Sequence, residues 1–185
     1  MLPCRLHITG ASGTGTTMLG RALADAWAVP HADVDDYFWE PTDPPYVVKR
    51  PASERLELME AVYAPRRAWV LSGSLMGWGD VLIKRFDAVV FLTLDPSTRI
   101  ARLKARERTR LGASVDPGGS AEPAYRAFIE WAQRYDDDAF TGRSRRRHDR
   151  WVSELPCPVL HLDSTNPVPT LVAAVLTWTA TIKPE

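Results

Sequence analysis

The chain has 185 residues, with 23 lysines and arginines against 23 aspartates and glutamates, and 45% of its residues are hydrophobic. This length suits one domain with its own core, expected over residues 1–185, and the composition argues against wholesale disorder. A net charge of zero gives no argument for a nucleic-acid or membrane partner. Since neither a signal peptide nor a run of about 18 apolar residues is present, we expect a cytoplasmic protein without such partners.

Segments with strand-like and helix-like patterns alternate along the chain. The predicted strands are Arg5–Thr9, Pro30–Val34, Ala68–Ser72, Ala88–Leu94 and Val159–Leu162. The predicted helices are Thr17–Trp27, Ala52–Ala64, Pro96–Arg110, Pro123–Phe140, His148–Leu155 and Pro169–Ile182. The third and fourth strands are continuous apolar runs, so both are expected inside the sheet. The alternation predicts an α/β fold, with a mainly parallel sheet covered by helices on both faces.

A glycine-rich loop follows the first predicted strand and has the spacing of a Walker A phosphate-binding loop. Its glycines allow successive backbone N–H groups to turn toward phosphate oxygens, and the following helix points its positive end at the same anion. Thr17 lies in the first turn of that helix, where its hydroxyl would bind Mg²⁺. The residues predicted to bind ATP are Gly10, Ser12, Gly13, Thr14, Gly15, Thr16 and Thr17.

Thr16 occupies the position at which the Walker A pattern has lysine. That lysine normally neutralises the β and γ phosphates, so either another cation replaces it or catalysis is weak. An alternative interpretation makes this loop the dinucleotide-binding turn of a short-chain dehydrogenase. The glycine intervals argue against it, and Tyr46 is followed four residues later by Arg50 rather than by lysine.

At this loop the chain resembles the small-molecule and nucleoside monophosphate kinases, a group that includes adenylate, shikimate and gluconate kinases. It is similar in particular to bacterial adenylate kinase-like proteins with the loop Gly-Ala-Ser-Gly-x-Gly-Thr-Thr, which share the missing lysine. The resemblance implies a P-loop NTPase three-layer sandwich, with a five-stranded parallel sheet in the order 2-3-1-4-5. It also implies an acceptor site beyond the second and third strands, and a basic lid at about residues 112–150.

Asp33 lies in the second predicted strand, and Asp35 and Asp36 follow at its carboxyl end, which is similar to the acidic segment after the second strand in shikimate-type kinases. The resemblance makes Asp35 the carboxylate that binds the acceptor hydroxyl and the candidate catalytic base. Asp33 or Asp36 would then support the metal ion, and both belong to the predicted substrate side. The alternative is a solvated acidic turn or a helix cap.

Further candidates for the acceptor side come from the segments after the second and third strands. Arg50 is predicted to bind an anionic group of the substrate, with Tyr46, Lys49 and Arg55 as additional candidates, although cations on a helix are more often solvated. Gly73 would let the backbone approach the acceptor, and Trp78 could stack on it. The alternative for Gly73 is ordinary turn formation, and the alternative for Trp78 is packing in the core, which seven tryptophans in the chain favour.

Arginines concentrate in the connection before the predicted helix at His148. The resemblance makes Arg143 and Arg147 lid residues that close over the phosphates and supply the charge that Thr16 lacks. Arg106 is a supporting candidate from the preceding basic helix. The aspartates at 136–138 are expected to pair with the lid arginines when no nucleotide is bound.

The leading hypothesis is an ATP-dependent, Mg²⁺-dependent kinase that transfers the γ-phosphoryl group to a small acceptor. The acceptor would be a nucleoside monophosphate or a hydroxylated metabolite. The alternative is a regulatory or inactive nucleotide-binding protein that has lost turnover together with the lysine. Cys4 and Cys157 are expected to be free thiols, because their strands are not neighbours in the implied sheet.

Overall fold

The structure is a computed structural model that describes residues 1–179. Its sheet has five strands, which are β1 Arg5–Gly10, β2 His31–Asp33, β3 Trp69–Ser72, β4 Ala88–Thr93 and β5 Val159–Asp163. Every strand pairing is parallel, and the order across the sheet is β2-β3-β1-β4-β5. This confirms the predicted fold class and the predicted order, with β3 and β4 inside the sheet.

Seven helices surround the sheet within the described residues. They are α1 Thr16–Trp27, α2 Val34–Phe38, α3 Ala52–Val62, α4 Pro96–Leu111, α5 Glu122–Gln133, α6 Arg145–Ser153 and α7 Val168–Thr177. None of the helices between residues 1 and 179 is both long and apolar enough to cross a membrane.

The core has two halves because successive side chains of a strand point to opposite faces of the sheet. Leu6 and Ile8 of β1 pack with α1 and α7 on one face. On the other face, Leu71 and Val89 pack with residues of α3 and α6. Alternation therefore turns the polar residues of β1, His7 and Thr9, toward the second face, where both are fully buried.

The register brings the carboxyl ends of three strands together at one edge of the sheet. Ser72 lies opposite Ile8 of β1 on one side and opposite Asp33 of β2 on the other. The glycine-rich loop leaves β1 at the same edge. Ligands of doubly wound sheets bind in this position, so the fold gathers the predicted phosphate and acceptor residues at one end.

Three helix boundaries differ from the predicted ones by three residues or more. Helix α5 ends at Gln133 and continues only as a 3₁₀ turn, Arg134–Asp136, rather than reaching Phe140. Helix α6 begins at Arg145 instead of His148, because the Ser144 side chain accepts a hydrogen bond from the backbone N–H of Arg147. Helix α7 ends at Thr177 rather than at Ile182, and the last three residues of the predicted helix, 180–182, lie outside the described residues.

The segment after β2 also differs from the predicted loop at 37–51. The short helix α2 includes its first two residues and is capped by Asp33. The chain then forms a narrow hairpin closed by an antiparallel bridge between Trp39 and Lys49. Cys4 and Cys157 are free, as predicted.

Candidate nucleotide and acceptor site

The glycine-rich loop is a tight turn that closes on itself before α1 begins. The backbone N–H and the hydroxyl of Thr14 both donate to the carbonyl of Ala11, at 3.1 and 2.9 Å. Gly13 and Gly15 have φ of +93° and +88°, a conformation that favours glycine. A Cβ atom at Gly15 would meet nothing within 4 Å, so this side of the loop is open. With no acidic residue in the first turn of α1, the arrangement fits a bound phosphate.

Oxygen donors lie beside the start of α1. The Thr17 hydroxyl donates to Oδ2 of Asp33 over 2.7 Å, and the Ser72 hydroxyl donates to the same atom over 3.2 Å. His31 Nε2 lies 3.0 Å from the Ser72 hydroxyl. Hydroxyl and carboxylate oxygens are the donors that Mg²⁺ prefers, so Thr17 and Asp33 fit a magnesium ion held together with nucleotide phosphates. The structure thus brings Asp33 to Thr17.

Asp35 and Asp36 lie on α2, directly after that carboxylate. Partial desolvation raises the pKa of the Asp35 carboxyl, and the negative charge of Asp33 raises it further. The cations Arg143 and Arg106 act in the opposite direction. The pKa of Asp36 is raised by the same two causes, and both residues are exposed to solvent over part of their surface. Asp35 is therefore the carboxyl group that lies within the field of both predicted cations.

Arg143 contacts the glycine-rich loop. Its Nη2 donates a hydrogen bond to the Ser12 hydroxyl, and its guanidinium lies 5.0 Å from the ring centre of Trp131. Burial lowers the pKa of Arg143, while the Asp35 carboxylate favours the charged form. Since Arg143 immediately precedes the capping residue Ser144, the start of α6 determines where its side chain begins.

The other two predicted cations are arranged differently. Arg147 is exposed and donates to the carbonyls of Thr141 and Gly142. Its guanidinium therefore contacts the connection before α6 rather than the glycine-rich loop. Arg106 forms an ion pair of 2.8 Å with Glu107, whose carboxylate is buried. Arg106 is close enough to Asp35 to affect its pKa.

On the acceptor side, Arg50 already has protein partners. Its Nη1 donates to the carbonyl of Tyr37 over 2.6 Å, and its Nη2 lies 3.4 Å from the Glu40 carboxylate. Gly73 has φ of +118°, and a Cβ atom there would lie 2.6 Å from the Cβ of Val34. This glycine therefore allows the loop after β3 to pack against α2.

Arg55 is the most enclosed of the predicted acceptor-side cations, with 7% of its surface exposed. Its guanidinium carbon lies 3.8 Å from the ring centre of Phe38 and 4.9 Å from that of Trp78. Its Nε donates to the carbonyl of Arg50 over 2.6 Å. The indole N–H of Trp78 donates to the carbonyl of Ser74. The Phe38 and Trp78 rings, whose centres lie 5.8 Å apart, thus both contact the Arg55 guanidinium.

Arg99 is a buried residue that sequence reasoning missed. It is 1% exposed and donates to the carbonyl of Ser12 at 3.3 Å, and also to the carbonyl of Ala132 and the carboxylate of Asp136. The prediction that Asp136 pairs with the lid arginines is therefore wrong, because this carboxylate pairs with Arg99 of α4. A basic helix gives no local signal for which of its arginines is buried.

Ser164, in the loop after β5, was also missed. Its hydroxyl donates to the carbonyl of Thr14 over 2.6 Å, and Arg102 donates to both the carbonyl and the hydroxyl of Ser164 at 3.1 Å. The glycine-rich loop is therefore supported by α4 and by the loop after β5.

Comparison with known proteins finds solved structures with a similar fold. A sugar kinase from Janibacter sp. HTCC2649 has a TM-score of 0.52 at 19% identity, over 95% of this chain and 94% of that one. A shikimate kinase from Bacteroides thetaiotaomicron has a TM-score of 0.53 at 18% identity, over 93% and 95%. A gluconokinase from Sinorhizobium meliloti 1021 has 0.50 at 18% identity, over 95% and 90%. No family model matches the chain.

A protein with higher sequence identity shows the family to which the chain belongs. The chain belongs to the family of the Bacillus subtilis (strain 168) protein named Uncharacterized protein YqaC. The two sequences are 40% identical over 173 residues, which cover 94% of this chain and 96% of that protein.

Proposed function

We propose that this protein is an ATP-dependent, Mg²⁺-dependent kinase that transfers the γ-phosphoryl group to a hydroxyl of a small anionic acceptor. The observation that carries the proposal is the contact between Arg143 and Ser12 in the glycine-rich loop, beside the Asp35 carboxyl group. The fold adds support, because the similar solved structures are named as a sugar kinase, a shikimate kinase and a gluconokinase.

The phosphates would be bound by main-chain amides of residues 13–17 and by the N-terminal end of α1. Thr17 and Asp33 would hold the Mg²⁺ ion through oxygen atoms. When bound, the ion neutralises phosphate charge and favours the in-line geometry of transfer. The chain itself would then contribute positioning and fixed charge.

Arg143 is proposed to supply the positive charge that a Walker A lysine provides elsewhere. Thr16 carries no charge, whereas the Arg143 guanidinium contacts Ser12 of the same loop. Burial makes this charge more effective, because partial exclusion of water strengthens its interaction with phosphate. The planar guanidinium can also bind two phosphate oxygens at once.

A carboxyl group beside the transferred phosphoryl favours a hydroxyl acceptor over a nucleoside monophosphate. A hydroxyl must lose its proton during transfer, and Asp35 can accept it. A phosphate acceptor is already anionic, so a neighbouring carboxylate would repel it. The raised pKa of Asp35 moves this group closer to the range in which it can act as a general base near neutral pH.

Arg55 is proposed to bind a carboxylate or phosphate group of the acceptor. Phe38 and Trp78 both contact this guanidinium, and its Nε donates to the Arg50 carbonyl, whereas its two Nη groups have no hydrogen-bond partner among residues 1–179 and remain for a ligand. Two N–H groups along one edge of a planar guanidinium suit bidentate binding of a carboxylate. The proposed acceptor is thus a small molecule with a hydroxyl at Asp35 and an anionic group at Arg55.

The test is ADP release with Mg-ATP against a panel of small hydroxy acids, sugars, nucleosides and nucleoside monophosphates. We expect acceptor-dependent turnover with an anionic hydroxyl compound, which Asp35→Asn lowers about 10²- to 10⁴-fold in kcat. Asp138→Asn, an exposed carboxylate outside the site, serves as the matched control. Turnover only with nucleoside monophosphates, undiminished in Asp35→Asn, would reject the hydroxyl acceptor.

The acceptor anion has its own test. Arg55→Lys keeps the charge but loses the planar fork, so it should raise the KM of the acceptor and leave the KM of ATP unchanged. Exposed Arg66→Lys is the control. If both variants left the acceptor KM unchanged, Arg55 would have only a packing role.

The alternative, a nucleotide-binding protein without turnover, is favoured by one observation, which is the neutral Thr16 at the lysine position. It predicts heat of binding with Mg-ATP but no acceptor-dependent ADP release anywhere in the panel. Such a result would exclude the kinase proposal while leaving the phosphate-binding loop in place.

A further inference from the structure

His148 is a fully buried residue of α6 that makes two side-chain hydrogen bonds. Its Nε2 lies 2.9 Å from the Thr9 hydroxyl of β1, and its Nδ1 lies 3.1 Å from the Tyr135 hydroxyl. Burial lowers the pKa of His148 to about 3, so the ring is neutral at pH 7. One ring nitrogen therefore donates a proton to a hydroxyl and the other accepts one.

These bonds join three segments that converge on the glycine-rich loop. Thr9 directly precedes Gly10, so the first bond ties α6 to the strand that leads into the loop. Tyr135 lies in the turn after α5, and its ring centre is 5.1 Å from the guanidinium of Arg99, which itself binds the Ser12 carbonyl. A single imidazole thus connects α6, β1 and the turn after α5.

The position of His148 on α6 links it to Arg143. The backbone N–H of His148 donates to the carbonyl of Ser144 over 2.9 Å, in the first turn of the helix that Arg143 precedes. At the other end of α6, Trp151 donates from its indole to Asp80 over 2.9 Å. Of these two residues, His148 makes its side-chain hydrogen bonds nearer to Arg143. A displacement of the first turn of α6 would move the Arg143 backbone away from Ser12.

An apolar side chain could fill the same space at lower cost. Burying an imidazole is unfavourable unless its polar atoms are hydrogen-bonded, and directional bonds fix the angle of a helix in a way that apolar packing does not. Both nitrogens of His148 are satisfied by hydroxyl groups. The arrangement is thus suited to setting the geometry of α6.

We propose that His148 is a positioning residue, which fixes the first turn of α6 against β1 and thereby holds the Arg143 guanidinium over the phosphate-binding loop. The inference rests on the proposed function, in which Arg143 binds nucleotide phosphates. Its direct consequence is energetic coupling, since a residue that acts only through Arg143 has no effect on nucleotide binding once Arg143 is removed.

The coupling is measured by calorimetry with Mg²⁺ and an ATP analogue that has an imido bridge between its β and γ phosphates. We expect Arg143→Ala to weaken binding about 10- to 100-fold and His148→Leu to weaken it about tenfold. The double variant should bind as Arg143→Ala alone does. Independent effects that multiply in the double variant, or no effect of His148→Leu, would overturn the inference.

Two further variants guard against general misfolding. Thr9→Val removes the hydroxyl partner of His148 while preserving side-chain shape, so it should reproduce the coupling with Arg143. His161→Leu is the matched control, because His161 contacts the same Phe91 ring as His148 but is exposed on β5. It should leave analogue binding unchanged.

Amide hydrogen exchange of the nucleotide-free protein separates this inference from the proposed function. Exchange at residues 145–149 should rise in His148→Leu and in Thr9→Val, with α7 unchanged. If it rises while Arg143→Ala binds the analogue normally, His148 positions α6 but the phosphate-binding role of Arg143 is wrong. Unchanged exchange at 145–149 would reject the positioning role whatever the nucleotide data give.

Discussion

The hydroxyl of Thr17 donates a hydrogen bond to Oδ2 of Asp33 over 2.7 Å, which joins the first turn of α1 to the end of β2. The same oxygen also accepts from Ser72, while Oδ1 accepts from the backbone N–H of Asp35 and caps α2. This carboxylate is therefore held by three partners. A fixed oxygen beside the threonine hydroxyl gives a cation a preformed pair of donors at the phosphate-binding loop.

Replacing Asp33 should change the response to magnesium more than it changes the fold. Asp33→Asn keeps an oxygen that can cap α2 but removes the negative charge, so the Mg²⁺ concentration needed for half-maximal ATP binding should rise about 10- to 100-fold. A magnesium titration at fixed nucleotide measures this shift. Asp36→Asn, its exposed neighbour on α2, is the control. Equal shifts in both variants would mean that general charge, rather than the contact with Thr17, attracts the ion.

The fold was predictable because its signals are local. The glycine spacing from Gly10 to Thr17 marks the turn between β1 and α1, and the apolar runs at 68–72 and 88–94 indicate strands covered on both faces. The order of the strands followed from the family resemblance. The helix ends at Gln133 and Arg145 were missed, since capping by one serine decided the second of them.

The long-range contacts that hold the site in place were not predictable from local sequence patterns. Arg99 binds a carbonyl 87 positions away in the chain, and His148 binds a hydroxyl 139 positions away. Neither residue sits in a sequence pattern that signals burial, because arginines of a basic helix are usually solvated. Such contacts depend on how α4 and α6 pack against the sheet, and the residue types alone do not determine that.

Alanine at Gly13 of the glycine-rich loop should destabilise the protein more than alanine at Gly118, which lies in the connection between α4 and α5. At Gly13 the φ is +93° and an added Cβ atom would lie 2.8 Å from the Arg99 carbonyl, whereas at Gly118 the φ is +82° and the space is open. The left-handed backbone alone costs about 1–2 kcal/mol in each case. Urea unfolding should therefore show a larger loss of stability for Gly13→Ala than for Gly118→Ala. Equal losses would mean that the loop moves away from α4 freely.

Stability should fall in acid through the buried His7. This ring is fully buried, its Nδ1 lies 3.2 Å from the Leu71 carbonyl, and burial lowers its pKa from 6.5 to about 3. Between these two values the unfolded chain holds the extra proton and the folded chain does not. The free energy of unfolding therefore decreases as the pH falls from 6.5 toward 3, by at most about 1.4 kcal/mol per pH unit for this residue.

The variant His7→Leu removes that titration, so its unfolding free energy should depend less steeply on pH over the same interval. Urea unfolding at several pH values gives the slope of the unfolding free energy against pH for the variant and for the wild type. The contributions of carboxylates cancel in the difference between these two slopes. Exposed His161→Leu serves as the control for the loss of a histidine that is not buried. A slope for His7→Leu equal to that of the wild type would show that the folded protein takes up the proton at His7.

Combining Arg143→Ala with Thr16→Lys tests whether Arg143 supplies the positive charge that the Walker A pattern places at position 16. Arg143→Ala should lower kcat/KM about 10²- to 10³-fold, because a fixed charge on the transferred group is lost. Thr16→Lys should then recover about tenfold or more in the Arg143→Ala background, since lysine at this position reaches the β and γ phosphates. With Arg143 intact the same lysine should bring little gain, because two cations would compete for one phosphate group. Exposed Arg146→Ala, on α6, controls for loss of general positive charge. If Thr16→Lys raised the rate equally with and without Arg143, the two cations would act independently, and Arg143 would not be the substitute.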